Sequence, residues 1–404
     1  MRCSVPPVGG LLAAACAATI LLSGCTHPAA EGSPIQPLPP AEGRVNPGLG
    51  PEARHLSSGP GYKGSPSWSP GGDRVAFIVD GYVVDRTVDG ERLTRWTTKD
   101  FVAAEAEWTA DGTLTMLGGA GAAEGGPGAL YRTDSEEGRS LGVEQIAGGV
   151  LAMTPRPGSE DVVLALEAEP EESAVALLRA GRIERLYTRT VPGTVTAASP
   201  SPDGEGVVLA VRPPGDGGPR ELHLFDLRAG QSSRISELED DRNILGAPQW
   251  TDRGIYFVAG AMPSPGDDGE PLYELFRTAP ELGEPEPAPG VGEDFIAGGA
   301  RVSPGGNRLA VVGRLNPESP LNLYVLNLRT GGFDAMTTNE DMEIKTGPDD
   351  LAWSPAGTSV AIVARGASSG EPEVRAAPAD ELLDAFYNLY EIPITTQEPL
   401  EAPR

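Results

Sequence analysis

Beyond residue 25 the chain contains no cysteine, and its 404 residues include three histidines and three lysines. Cys3, Cys16 and Cys25 all lie at the N-terminus. The rest of the chain therefore has no disulfide framework and no thiol nucleophile, and packing alone must stabilise it. The histidines, His27, His55 and His223, are too scattered for zinc-ligand spacing or a histidine-rich metal centre. Gly366-Ala367-Ser368-Ser369-Gly370 fits the G-x-S-x-G pattern of a nucleophile elbow. It lacks the strand-to-helix setting such a serine needs, and no histidine follows it. Gly266-Asp267-Asp268-Gly269-Glu270 lacks the spacing of a calcium loop. No catalytic constellation results, and no cofactor or metal is expected. Positive charge is also scarce. The net charge is −27, which argues against nucleic acid and against adsorption to anionic lipid headgroups. There is one long apolar run, from Val8 to Leu22, too short for a membrane span.

What the N-terminus does contain is an address. Arg2, the apolar run and then Leu22-Ser23-Gly24-Cys25 resemble the signal peptide and lipobox of bacterial lipoproteins. The resemblance implies cleavage before Cys25, acylation of that cysteine and attachment to the cell membrane on its extracytoplasmic side. The mature chain, without Arg2, carries −28. Residues 1–24 are then a signal peptide, and residues 25–50, rich in proline, alanine and glycine, form a tether without apolar periodicity.

Glycine (53) and proline (40) are abundant, and apolar runs of strand length alternate with them. The regular alternation indicates tight turns rather than disorder. Ser67-Trp68-Ser69-Pro70-Gly71-Gly72-Asp73-Arg74-Val75-Ala76-Phe77 returns as Ala352-Trp353-Ser354-Pro355-Ala356-Gly357-Thr358-Ser359-Val360-Ala361-Ile362. Turns at 110–112, 157–159, 202–204, 252–254 and 304–306 mark further copies. Each copy reads as four short strands and cannot bury its apolar face alone. The expected fold is all-β, a β-propeller of four-stranded antiparallel blades, with seven blades counted and the unit around Met153-Thr154-Pro155 the least regular. Residues 51–398 form this domain, and 399–404 a C-terminal tail. Arg54-His55-Leu56-Ser57 precedes the first unit as Arg92-Leu93-Thr94 precedes the second. The N-terminal strand is therefore expected to complete the last blade and close the ring.

The segments around Trp68, Ala198-Ser199-Pro200-Ser201-Pro202-Asp203-Gly204 and Leu351-Ala352-Trp353-Ser354-Pro355 resemble the WD-like propeller repeats of the TolB type. The resemblance spans about residues 54 to 398. It implies that Trp68, Trp108, Trp250 and Trp353 pack between blades and that the Pro-Asp-Gly element makes the inner hairpin turn. It specifies fold rather than function.

Loops after the second and fourth strands of a blade share one face of the ring. The long insertions fall there and carry acid: Glu169, Glu171, Glu172, Asp267, Asp268, Glu270, Glu318 and Glu371. Glu239-Asp240-Asp241, Glu293-Asp294 and Asp349-Asp350 are read as inter-blade stretches reaching the same face. Residues 378–386 have apolar residues at helical spacing. The expected function is non-catalytic: a monomeric, lipid-anchored envelope module that binds a protein partner or a cationic ligand. Asp267, Asp268, Glu270, Glu318 and Glu371 are its candidate contacts. The alternative is a propeller enzyme or a metal-assisted carbohydrate-binding protein with its site at the channel mouth.

Overall fold

The computed structural model describes residues 49–394, apart from 51, 58–60, 98–100, 124–125, 137–138, 170, 216–217, 240–241, 262–271, 282, 341, 348 and 367–385. Apart from a four-residue helix, Ala120–Ala123, the regular elements are β-strands, and every strand pair is antiparallel. Among the described residues, no helix is long and apolar enough to cross a membrane.

The repeat motif dictates the local hairpins. In the first copy the Ser69 side chain accepts from the Arg74 backbone N–H, and Gly72 N–H donates to the Ser69 carbonyl. Gly72 takes φ 72°, a conformation that costs glycine no Cβ clash. Ser201, Ser303 and Ser354 close their turns in the same way. The apolar runs that follow become second strands buried on both faces, such as Gly206–Arg212 and Ser359–Gly366.

The sheets divide into four-stranded blades. Blade 1 is Lys63–Trp68, Arg74–Val79, Tyr82–Thr87 and Leu93–Arg95. Blades 2 and 3 form one seven-stranded sheet, because Arg139–Pro155 ends blade 2 and begins blade 3. Blade 4 begins at Thr194–Pro200, blade 5 at Arg242–Thr251 and blade 6 at Ile296–Val302. Blade 7 has a first strand in two pieces, Met342–Ile344 and Leu351–Trp353. Each blade's first strand packs against that of the next, and Leu351–Trp353 packs on Lys63–Trp68, so the inner strands close a β-propeller ring.

The N-terminal piece closes the last blade as the repeat alignment predicts. Arg54–His55 pairs with Asn388–Pro393, and Leu56 N–H donates to the Leu389 carbonyl. Leu49 and Ala53, both almost fully buried, join the apolar cluster of blades 6 and 7, so the packed domain includes Leu49. The core lies in layers between blades. Trp68 packs between blades 1 and 7 and Trp108 between blades 1 and 2. Trp353 donates its indole N–H to the Arg301 carbonyl of blade 6 at 2.8 Å.

Arginines complete these seams. Arg74 of blade 1 lies over the Trp108 ring, and Arg308 of blade 6 over Trp353. At the equivalent position blade 4 has Gly206, and Trp250 sits directly on its backbone. A Cβ there would come within 3.2 Å of the indole.

Candidate binding site in the central channel

The inner strands share a local fault. In blades 1 to 6 the pairing of first and second strands slips at about the same level, between Gly64 and Ser67, Ala103 and Glu105, Val150 and Ala152, Val195 and Ala197, Leu245 and Gln249, and Ala297 and Gly299. These are β-bulges, each adding unpaired backbone to the inner strand and bending it. Ser65 in the blade 1 bulge takes φ 49°, unusual for a residue with a side chain.

In blade 7 the bulge has grown into a loop. Ile344 pairs with Ala364 and Leu351 with Ile362, so the inner strand advances seven residues while its partner advances two. Asp349 therefore borders the channel cavity, while Lys345 and Asp350 pack against blade 1. This corrects the reading of Asp349-Asp350 as an inter-blade stretch on the loop face: the two lie in the loop between the two pieces of blade 7's first strand. Asp350 is buried, pairs with Lys345 at 3.1 Å, and accepts from the Ser65 N–H at 3.2 Å. Two glycines make room for the loop. A Cβ on Gly64 of blade 1 would lie 2.8 Å from Asp350 Oδ1, and one on Gly298 of blade 6 would lie 2.6 Å from Thr346.

One residue before each Trp-equivalent position stand Ser67, Glu107, Thr154, Ser199, Gln249, Arg301 and Ala352, of which Glu107, Thr154 and Arg301 border the channel cavity. Two of this series hold the next blade. Ser67 Oγ accepts from the Trp108 N–H, and Gln249 Oε1 from the Val302 N–H. Glu107 has no such task, because the next blade offers Pro155, which lacks an N–H. Its carboxylate instead accepts from Ser67 Oγ at 2.9 Å and faces Arg301 at 3.5 Å. Arg301 also lies 3.4 Å from Asp349. Glu105, two residues before Glu107, completes a group of three carboxyls and one guanidinium.

These side chains border a cavity of about 120 Å³. Its other wall comes from blades 3, 4 and 5 and mixes apolar side chains, Leu151, Ala197 and Ala247 among them, with the hydroxyls of Thr154 and Thr196. Among the described residues no hydrogen bond or ion pair reaches the Glu105 carboxyl, whose nearest influences are electrostatic. Burial, and then the charges of Asp349 and Glu107, push its pKa well above the ordinary carboxyl value against the pull of Arg301. Burial also raises Glu107, although Arg301 and Ser67 oppose it. Burial alone would lower the Arg301 guanidinium, but Glu107, Asp349 and Glu105 outweigh it and hold the proton. Glu107 and Arg301 keep about a quarter of their side-chain surface open to the channel (25% and 24%). Glu107 and Arg301 are thus deep in the ring and still in contact with channel solvent.

The candidate contacts read from the sequence are placed as follows. Glu318 is exposed in a turn of blade 6, where its backbone N–H donates to Asn316 Oδ1. Asp267, Asp268, Glu270, Glu371 and Cys25 lie outside the described residues, as does the proposed helix up to residue 385. On the loop face, Glu167, Glu169, Glu171 and Glu172 border a second cavity of about 100 Å³ with Arg212. Two histidines are described, both away from the channel. His55 packs on the Tyr390 ring, and His223 is buried in blade 4 beside Glu221 (2.8 Å) and Ser232 (3.2 Å). No group of three His, Cys, Asp or Glu among the described residues could hold a metal ion.

No protein-family model matches the sequence, and no curated protein is similar enough to match it. Solved structures do match. The β-propeller domain of the Trilobed protease from Pyrococcus furiosus is 12% identical, with a TM-score of 0.50 over 84% of this chain and 99% of that one. An oligogalacturonate lyase from Vibrio parahaemolyticus is 11% identical, with a TM-score of 0.51 over 85% and 94%. TolB from Acinetobacter baumannii is 14% identical over 80% and 76%, with a TM-score of 0.39. At these identities the likeness is one of fold. The chain is a β-propeller protein.

Proposed function

We propose that this chain is a lipid-anchored, extracytoplasmic propeller that binds an envelope protein or a cationic ligand without catalysing a reaction, and that the channel cluster holds the positive group. The observation that carries the reading is the Glu105 carboxyl, facing a cavity with no hydrogen bond to satisfy it. Glu105 is half-buried at the cavity edge, where a ligand can supply the partner that no neighbouring side chain provides. Three carboxyls against one guanidinium favour a positive guest. The chain's −27 charge draws such a guest toward the propeller. Acidic loops, with exposed Glu318 among them and Asp267, Asp268, Glu270 and Glu371 as further contacts, form an outer attractor.

The address rests on the lipobox-like Leu22-Ser23-Gly24-Cys25. Replacing Cys25 with serine releases a folded domain into the soluble fraction. Retention at the membrane contradicts the anchor. Binding is tested by crosslinking the anchored protein in cells and identifying what it captures. The reading expects a reproducible partner whose capture falls when Glu105 and Asp349 are replaced by Gln and Asn. Capture indifferent to those changes moves the site off the channel.

A further inference from the structure

We infer that the channel cavity receives a primary aliphatic ammonium, its alkyl stem on the apolar patch of blades 3 to 5 and its charge among Glu105, Glu107 and Asp349. The inference deepens the binding role proposed for the channel and rests on it. Three features of the cavity select this chemistry over other cations.

The first is size. About 120 Å³ is roughly the room of four waters at about 30 Å³ each, enough for a butylammonium-sized group. The second is the division of the wall. Leu151, Ala197 and Ala247 offer an apolar patch beside Thr154 and Thr196, and the carboxyls lie on the remaining side. A group with a methylene stem and a charged head satisfies both walls, as lysine side chains do when they lie along apolar surface. The third is donor geometry. An ammonium is compact and carries three donors that can point in different directions, so its head needs only one or two of the carboxyls that border the cavity. A guanidinium is planar and needs a flat slot between carboxylates. That slot, between Glu107 and Asp349, already holds Arg301. A divalent metal is disfavoured by the spread of the carboxyls, since no three acidic or imidazole groups among the described residues are disposed to hold one.

An alkyl ammonium could come from a lysine side chain of a partner or from a free amine, and the test separates the two. The full chain is titrated calorimetrically at pH 7 with n-butylamine, with Nα-acetyl-lysine methylamide, with its arginine counterpart and with its Nε-acetylated form. The inference expects butylamine or the blocked lysine to bind at least about tenfold more tightly than the arginine and acetylated compounds. Binding of the blocked lysine points to a partner's side chain, and binding of butylamine alone to a free amine. Glu105→Gln and, independently, Asp349→Asn each weaken binding about tenfold, whereas Glu286→Gln on the exposed outer strand of blade 5 leaves it unchanged. Equal or tighter binding of the arginine compound overturns the inference and leaves a cation site standing. Failure of every cation to bind overturns the channel reading as well.

Discussion

The Arg301 guanidinium of blade 6 lies 3.5 Å from the Glu107 carboxylate of blade 2, although blades 7 and 1 stand between them in the ring. The bridge therefore crosses the channel. Replacing Arg301 with methionine leaves three carboxyls facing one another without a counter-charge. With about a quarter of each side chain open to solvent, the loss should be about 1–3 kcal/mol, below that of a fully buried pair. Adding Glu107→Gln to Arg301→Met should recover part of it. Denaturant unfolding of the two single variants and the double variant measures the coupling, and strict additivity contradicts a cross-channel contact.

Glu105 should cost stability where it serves binding. Its pKa is raised in the folded state, first by burial, so the native protein binds the proton more tightly than the unfolded chain does. Stability from this group is then present below its unfolded pKa near 4.5 and is lost as pH rises through the folded value. Glu105→Gln, which cannot ionise, should be more stable than the parent at pH 7, with the difference vanishing at about pH 4. Melting curves across this range check it. A variant less stable at pH 7 assigns Glu105 a structural role.

Lys63 shows the opposite linkage. Buried on the first strand of blade 1, it donates to the Tyr387 carbonyl at 3.1 Å. Burial lowers its pKa to about 8, with Asp80 opposing. Between that value and 10.5 the unfolded chain holds more protons, so stability from this residue rises with pH through the window. Measured against Lys63→Met, the parent should gain about 1–3 kcal/mol between pH 8 and 10.5. A flat difference over that interval contradicts the shift.

Gly298 is predicted to be intolerant of a side chain. A Cβ would lie 2.6 Å from Thr346, so the blade 7 loop would have to move. Gly298→Ala should destabilise by about 1–3 kcal/mol and disturb the channel loop. Gly64→Ala should cost less, because its nearest neighbours are the ends of the Lys345 and Asp350 side chains. Equal melting temperatures for Gly298→Ala and the parent would show that the loop is not packed on blade 6.

The sequence displayed the propeller wherever the hairpin chemistry repeats. Ser-Pro-Gly-Gly and Ser-Pro-Asp-Gly set the inner turns, and Arg54–His55 closes the ring as the repeat register requires. The unit at Met153-Thr154-Pro155 was faint for a physical reason. Pro155 replaces the tryptophan, and its strand continues unbroken from the preceding blade. The channel cluster was hidden because its members come from blades 2, 6 and 7 and meet only when the ring closes. A signal was present in retrospect: Glu107 and Arg301 are the charged residues among those that precede the Trp-equivalent positions, and both border the channel cavity. The blade 7 loop left no such trace, since an enlarged bulge and an ordinary inter-blade loop read alike.

The binding role turns on the ionisation of Glu105, which faces the channel cavity. Carbon-13 NMR of the glutamate carboxyls, with Glu105→Gln for assignment, measures it directly. Glu105 should titrate well above 4.5 in the free protein, and its pKa should fall when n-butylamine is added. Titration near 4.5, unmoved by the amine, would contradict the account.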